Sequence, residues 1–217
     1  MEHSKDYHDY VFKDGRLVGD FEGMYRHSSD IPWHQDETSR SVFSDIDIAV
    51  LKQHSYDSIC EVGCGMGYFT DRLRKELCST NDGQRPRVTG LDVSETAVRR
   101  AGELFPECRF AAADALVERP LKGECFDLVV VKEVLWYVTD GLDRFLVNLS
   151  DMVKKDGFLY VSQSFPEEKQ WVGQDVIGSP DDLMTILSKK VDIAYHCIEW
   201  DSNCAGRPLA HVLGKKR

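Results

Sequence analysis

Ser58-Ile59-Cys60-Glu61-Val62-Gly63-Cys64-Gly65-Met66-Gly67-Tyr68 is the stretch that decides the fold. Its first five residues are a short buried-strand candidate, glycine then occupies every second position, and Tyr68 to Leu77 carries a helical pattern. Strand, glycine turn and helix in that order open a β-α-β unit. Glycine at 63, 65 and 67 lets the chain turn tightly and approach a ligand with no side chain in the way, while the following helix aims its free N–H groups at that ligand.

The pattern repeats outward from this point. Arg87 to Asp92 reads as a second strand, Ser94 as an N-cap, and the residues up to Leu104 as a helix. A short strand, Arg109 to Ala112, precedes the continuous apolar run Phe126 to Val131, as expected of a strand covered on both faces. Leu142 to Val153 is amphipathic, with Asp156-Gly157 expected to end that helix before a strand at Phe158 to Ser162. Asp181 to Lys189 reads as helix, Val191 to Trp200 and Pro208 to Gly214 as strands, and Asn203 to Gly206 as their hairpin connection. Upstream, a helical pattern runs from Asp36 to His54. This alternation predicts an α/β fold, a single doubly wound and mostly parallel sheet with helices on both faces and an antiparallel strand at its end. Residues 1–40 are polar yet carry Tyr7, Tyr10, Phe12, Phe21, Tyr25 and Trp33, which marks them as an aromatic lid or extension ahead of a domain at 41–217.

Composition narrows the function. At 217 residues the chain suits one domain, and 42% hydrophobic with 29% charged residues describes a soluble globular protein. With 27 Lys+Arg against 37 Asp+Glu, a net charge of −10 provides no attraction to a phosphate backbone, so nucleic acid is not an expected partner. Arg72, Arg74, Lys75, Arg99 and Arg100 lie beside acidic neighbours and read as solvated helix faces. Seven cysteines without a CxxC pair or a leader suggest reduced thiols and a cytoplasmic location, with no metal site expected. No apolar run approaches the ~20 residues that span a bilayer.

The glycine turn departs from the dinucleotide pattern, because G-x-G-x-x-G would place its third glycine at position 68, where Tyr68 stands, and this counts modestly against NAD. Glu61 points further. A carboxylate at the end of this strand repels a pyrophosphate but suits a ligand with an ammonium and a sulfonium centre, and S-adenosylmethionine (SAM) has both. Asp92, closing the second strand, is placed to accept hydrogen bonds from a ribose diol, and Asp114, after the third, from an adenine amino group. Blander readings exist for each: an exposed strand residue or ion-pair partner for Glu61, an N-cap for Asp92, a loop acid for Asp114.

Glu61 to Gly67, Asp92, Asp114 and Phe126-Asp127-Leu128-Val129-Val130-Val131-Lys132-Glu133-Val134-Leu135 together resemble the class I SAM-dependent methyltransferase superfamily, over about residues 55–165. The resemblance implies a Rossmann-like sheet of seven strands with a terminal antiparallel strand. It also implies cofactor contacts at Glu61, Gly63, Gly65, Asp92 and Asp114; Gly67, Val93, Ala115, Lys132 and Trp33 are further expected contacts. Phe21-Glu22-Gly23-Met24-Tyr25, Asp30-Ile31-Pro32-Trp33 and Glu133-Val134-Leu135-Trp136-Tyr137 are similar to the NodS-like methyltransferases, which N-methylate an amino sugar within an oligosaccharide.

Methyl transfer from a sulfonium is an in-line displacement that requires positioning and, for an amine or alcohol acceptor, a base. Glu133 is the first candidate base and His34 the second; Trp136 and Tyr137 are candidate walls of the acceptor pocket. The expected function is transfer of a methyl group to an N or O nucleophile of a small polar metabolite or saccharide, with no membrane partner. An NAD-dependent oxidoreductase and a non-catalytic SAM-binding subunit are the competing readings.

Overall fold

The computed structural model describes residues 6–13, 16–80, 84–165, 172–201 and 207–217. Seven strands belong to one sheet, and the chain divides into two compact units, residues 1–113 and 114–217.

In the first unit a short helix α1 (His8–Val11), a hairpin of β1 (Phe12–Lys13) and β2 (Arg16–Leu17), and α2 (Phe21–His27) precede α3 (Gln35–Thr38) and α4 (Val42–Leu51). Then come β3 (Ser58–Val62), α5 (Tyr68–Glu76), β4 (Arg87–Asp92), α6 (Glu95–Leu104) and β5 (Arg109–Ala112). All five residues of β3 are buried, and β3, β4 and β5 pair in parallel. The helical pattern expected from Asp36 to His54 is two helices, because Ser41 begins a new one: its hydroxyl accepts the Ser44 N–H at 3.4 Å. Ser94 caps α6 as expected, accepting the Ala97 N–H at 3.0 Å. The basic residues of α5 are ion-paired: Arg72 to Asp45 and Glu76, Arg74 to Asp71 and Glu107, Lys75 to Asp71. Arg72 is more enclosed than a solvated helix face implies, since its guanidinium also donates to the Ser39 carbonyl.

The second unit holds β6 (Phe126–Lys132), α7 (Leu142–Met152), β7 (Val153–Ser164), α8 (Pro180–Leu187), β8 (Val191–Asp201) and β9 (Arg207–Lys216). Helix α7 buries Leu142, Phe145, Leu146, Leu149 and Met152, the stripe a 3.6-residue period places on one face. Asp156-Gly157 does not end this helix. Strand β7 already begins at Val153, and Asp156, with φ of 63°, sits in an irregularity where the register passes from Phe126↔Val153 to Leu128↔Phe158. A Cβ at Gly157 would lie 2.9 Å from the Asp127 carbonyl oxygen, so the kink needs glycine there. Strand β9 is antiparallel to both neighbours, β7 and β8, and a buried polar chain crosses the three: the Tyr160 hydroxyl meets His211 Nδ1 at 2.8 Å, and His211 Nε2 meets Glu199 at 2.6 Å. The connection expected at Asn203 to Gly206, with Cys204, lies outside the described residues.

The strand order is β5-β4-β3-β6-β7-β9-β8, with β3, β4 and β5 parallel, β6 and β7 parallel, and β9 antiparallel to both of its neighbours. This is the doubly wound arrangement with a terminal antiparallel strand that the alternation of elements and the resemblance predicted. Among the described residues no helix is long and apolar enough to cross a membrane.

Candidate cofactor site

The site of the first unit is built where β3 and β4 end. Past Val62 the chain reverses through Gly63, Gly65 and Gly67, with φ of 82°, 53° and 80°. These are left-handed conformations that a Cβ disfavours. The turn is pinned to the adjacent strand, because the N–H groups of Gly63 and Cys64 both donate to the Leu91 carbonyl, at 2.8 and 2.9 Å. Asp92 joins the two turns: one carboxylate oxygen accepts the Gly65 N–H at 2.8 Å, the other the Ser94 N–H at 3.0 Å. It does not cap α6, a task that falls to Ser94. Burial pushes its carboxyl above the ordinary range, against the N–H groups of Ser94, Gly65 and Val93 that favour the charged form, and the nearby charge of Glu22 adds to the rise.

Glu61 is only 3% exposed, which removes the exposed-strand reading, and it accepts a hydrogen bond from the Thr70 hydroxyl of α5. The Cys64 thiol is pushed up by burial and by the carboxylates of Asp92 and Glu61. Acidic groups thus crowd this glycine turn. Such a donor set fits a ligand that carries positive charge and opposes a pyrophosphate. Val93, next to Asp92, is half exposed.

Three residues of the N-terminal segment belong to this site and were missed from the sequence. Gln35 accepts the Met66 N–H with its side-chain carbonyl at 2.9 Å and donates through its amide nitrogen to the Tyr25 hydroxyl at 2.9 Å. A Cβ at Gly65 would lie 2.2 Å from Gln35 Nε2 and 2.6 Å from the Tyr25 hydroxyl. At Gly65 a close approach is thus already made by this chain's own side chains. At Gly67 it is made by the Phe110 ring, 2.7 Å from a notional Cβ. Glu22 is the third residue, seated at the start of α6 on Ser94 and Thr96. The motif Phe21 to Tyr25 was visible in the sequence, but periodicity carries no signal that a seven-residue helix reaches across to a turn 70 residues away.

Trp33 and His34 both have left-handed backbones, with φ of 53° and 47°, a strained pairing for two consecutive non-glycine residues. Trp33 packs edge-on to Tyr7 and Tyr25 at 5.7 and 6.3 Å between ring centres. His34 is exposed at the start of α3.

In the second unit, Asp114 is exposed, and its Oδ1 accepts the Leu116 N–H at 2.8 Å and the Val117 N–H at 3.4 Å, holding its own turn. Ala115 is buried and its carbonyl accepts from Asn148 at 2.7 Å. Lys132 ends β6, and Glu133 follows with φ of 56°. The Glu133 carboxylate accepts from both the N–H and the hydroxyl of Ser164, at 2.8 and 2.7 Å. Burial raises its carboxyl, opposed by the charge of Lys132 and by the Ser164 hydrogen bonds. Leu135 N–H bonds to the Gln163 side chain at 3.1 Å and Trp136 Nε1 to the Ser164 carbonyl at 3.2 Å, so the whole stretch after β6 is tied to the end of β7. Among the described residues no group of three His, Cys, Asp or Glu side chains is placed to hold a metal ion.

Residues 60–161, which span the glycine turn, the Asp92 turn and β6, match the family model described as a methyltransferase domain. Over that stretch the chain is similar to methyltransferase domains. No curated protein matches the chain at a significant level. Among solved structures it is similar to the N-methyltransferase NodS from Bradyrhizobium japonicum WM9 in complex with S-adenosylhomocysteine, at 22% identity and a TM-score of 0.68, covering 86% of this chain and 92% of that one. It is also similar to magnesium protoporphyrin IX methyltransferase from Synechocystis PCC 6803 with bound SAM, at 18% identity and 0.58, covering 97% and 90%. The [4+2]-cyclase SpnF matches at 16% identity and 0.63, covering 80% of each chain. At these identities the likeness is one of fold, and a fold shared by a cyclase and by methyltransferases leaves the acceptor to be argued from the site.

Proposed function

We propose that this chain is a SAM-dependent methyltransferase, which transfers the methyl group of SAM to an N or O nucleophile of a small polar metabolite or saccharide. The observation that carries the cofactor half is the junction of two turns through Asp92, with Glu61 buried beside them: acidic, glycine-lined and suited to a cationic ligand. In this reading Asp92 accepts the ribose hydroxyls, Glu61, Gly63, Gly65, Gly67 and Val93 surround the rest of the cofactor with Trp33, and Asp114, Ala115 and Lys132 complete the set. Bound SAM supplies an electrophilic methyl carbon.

Glu133 serves as the base that takes the acceptor's proton. Its raised carboxyl supports this role, because a base that titrates closer to neutrality both accepts a proton and releases it. Its two bonds to Ser164 orient it. His34, exposed on a strained turn, is the second candidate. Residues 1–40 act as a lid that excludes water during transfer. The net charge of −10 disfavours nucleic acid as acceptor.

The test is a screen of amines, amino sugars and hydroxylated metabolites with radiolabelled SAM and mass analysis of products, run beside calorimetry with S-adenosylhomocysteine and NAD. A methylated small polar product with no NAD binding is expected. Binding of the SAM product with no methylated acceptor would favour the non-catalytic subunit, and tight NAD binding alone would overturn the assignment.

A further inference from the structure

Glu22 stands in the short helix α2, yet three of the four hydrogen bonds to its carboxylate come from the start of α6. One oxygen accepts from the Ser94 hydroxyl at 2.6 Å and the Thr96 N–H at 3.1 Å, the other from the Thr96 hydroxyl at 2.7 Å and from Arg26 at 2.8 Å. Helix α6 has no need of this acceptor as a first cap, because Ser94 already holds the Ala97 N–H. What Glu22 adds is a fixed charge at the positive end of the helix and a second grip on Ser94. Ser94 is thereby held from both sides, its hydroxyl by Glu22 and its N–H by Asp92, and the other oxygen of Asp92 reaches Gly65. A continuous chain of hydrogen bonds runs from α2 to the glycine turn.

We propose that Glu22 is a positioning residue of the methyl-donor site, which acts through Ser94 to fix the Asp92 carboxylate and so makes the N-terminal helix part of that site. The proposal rests on the reading of Asp92 as the ribose acceptor. A carboxylate is chosen over an amide for a physical reason: Glu22 meets donors at every contact, and a glutamine would turn an NH2 group toward at least one of them. Glu22 from α2 is a charge that acts on Asp92, the buried Glu61 lies beside the same turn, and the Cys64 thiol, pushed up by burial and by its neighbouring carboxylates, stays neutral.

The experiment is calorimetric titration of the full chain with SAM and with S-adenosylhomocysteine between pH 5 and 9, for wild type, Glu22→Gln, Asp92→Asn and the double variant. The expected results are an affinity about tenfold weaker in Glu22→Gln, with a double variant no weaker than Asp92→Asn alone, since partners in one network are non-additive. The acid limb of SAM affinity should also move to lower pH in Glu22→Gln, because removing a neighbouring negative charge eases ionisation of Asp92. Loss of folding alone would not move that limb. Thr96→Val, which removes one donor and keeps the charge, should weaken binding about twofold to threefold and stands in if Glu22→Gln does not fold. Unchanged affinity in Glu22→Gln, or strictly additive losses, would overturn the proposal while leaving Asp92 in its role. Unchanged affinity in Asp92→Asn would remove the ribose reading itself, and the role of Glu22 with it.

Discussion

Gly65 is held in place by two independent demands. Its φ of 53° disfavours any Cβ, and the space a Cβ would take is filled by the Gln35 amide and the Tyr25 hydroxyl. Gly65→Ala is therefore expected to destabilise the protein by about 1–3 kcal/mol in urea unfolding, the scale of a forced overlap with backbone strain. Adding Gln35→Ala should restore only part of the loss, because the strain outlasts the overlap. At Asp92 the expectation concerns binding. Asp92→Ala should weaken SAM by about 1–3 kcal/mol in calorimetry, the range for losing a charge-assisted partner, and unchanged affinity would take Asp92 out of the ribose role. The raised Asp92 carboxyl also gives a direction for the native site: as the pH falls through its elevated pKa, the carboxylate that suits a cationic cofactor is lost, so SAM affinity should decline on the acid side.

At the scale of elements, α2 and α6 form one electrostatic unit. Burial alone would raise the Glu22 carboxyl; hydrogen bonds from Ser94, Thr96 and Arg26 outweigh it and bring it down to about 2. A carboxyl held below its unfolded value contributes stability that is present above about pH 4.5 and is lost as the pH falls toward about 2. Glu22→Gln should therefore flatten the drop in melting temperature across that acid window, a result that a pH series of thermal scans would show or refute. The kink in β7 makes a separate element-level prediction. A side chain at Gly157 would press on the backbone oxygens of Asp127 and Lys154, at 2.9 and 3.0 Å, neither of which can rotate away. Gly157→Val should cost at least about 2 kcal/mol in denaturant unfolding.

For the whole molecule, the N-terminal segment is an integral part of the first unit. Val11, Met24 and Tyr25 are buried, with Met24 fully enclosed, and Gln35 and Glu22 complete hydrogen bonds of Met66 and Thr96. Deleting residues 1–35 should lower the melting temperature as well as slow methyl transfer and weaken SAM, because it exposes apolar surface and leaves backbone donors without their partners. Hydrogen exchange over residues 20–40 separates this from a simple lid: protection that rises with S-adenosylhomocysteine marks closure on the cofactor, and equal protection marks permanent packing.

The sequence by itself determined the order of strands and helices from Ser58 onward, the glycine turn and the Ser94 cap, because each rests on a local pattern: a run of buried residues, a period, a capping hydroxyl. The same locality explains its misses. Asp156-Gly157 looks like a helix stop in one dimension and proves to be a strand kink, since the register with β6 is a long-range fact. Only the tertiary structure decided that Gln35 and Tyr25 lie on Gly65, that Glu22 reaches Ser94, and that Glu133 is fixed by Ser164. These contacts join residues far apart in the chain, and their energy appears only when folding has already brought the two ends together.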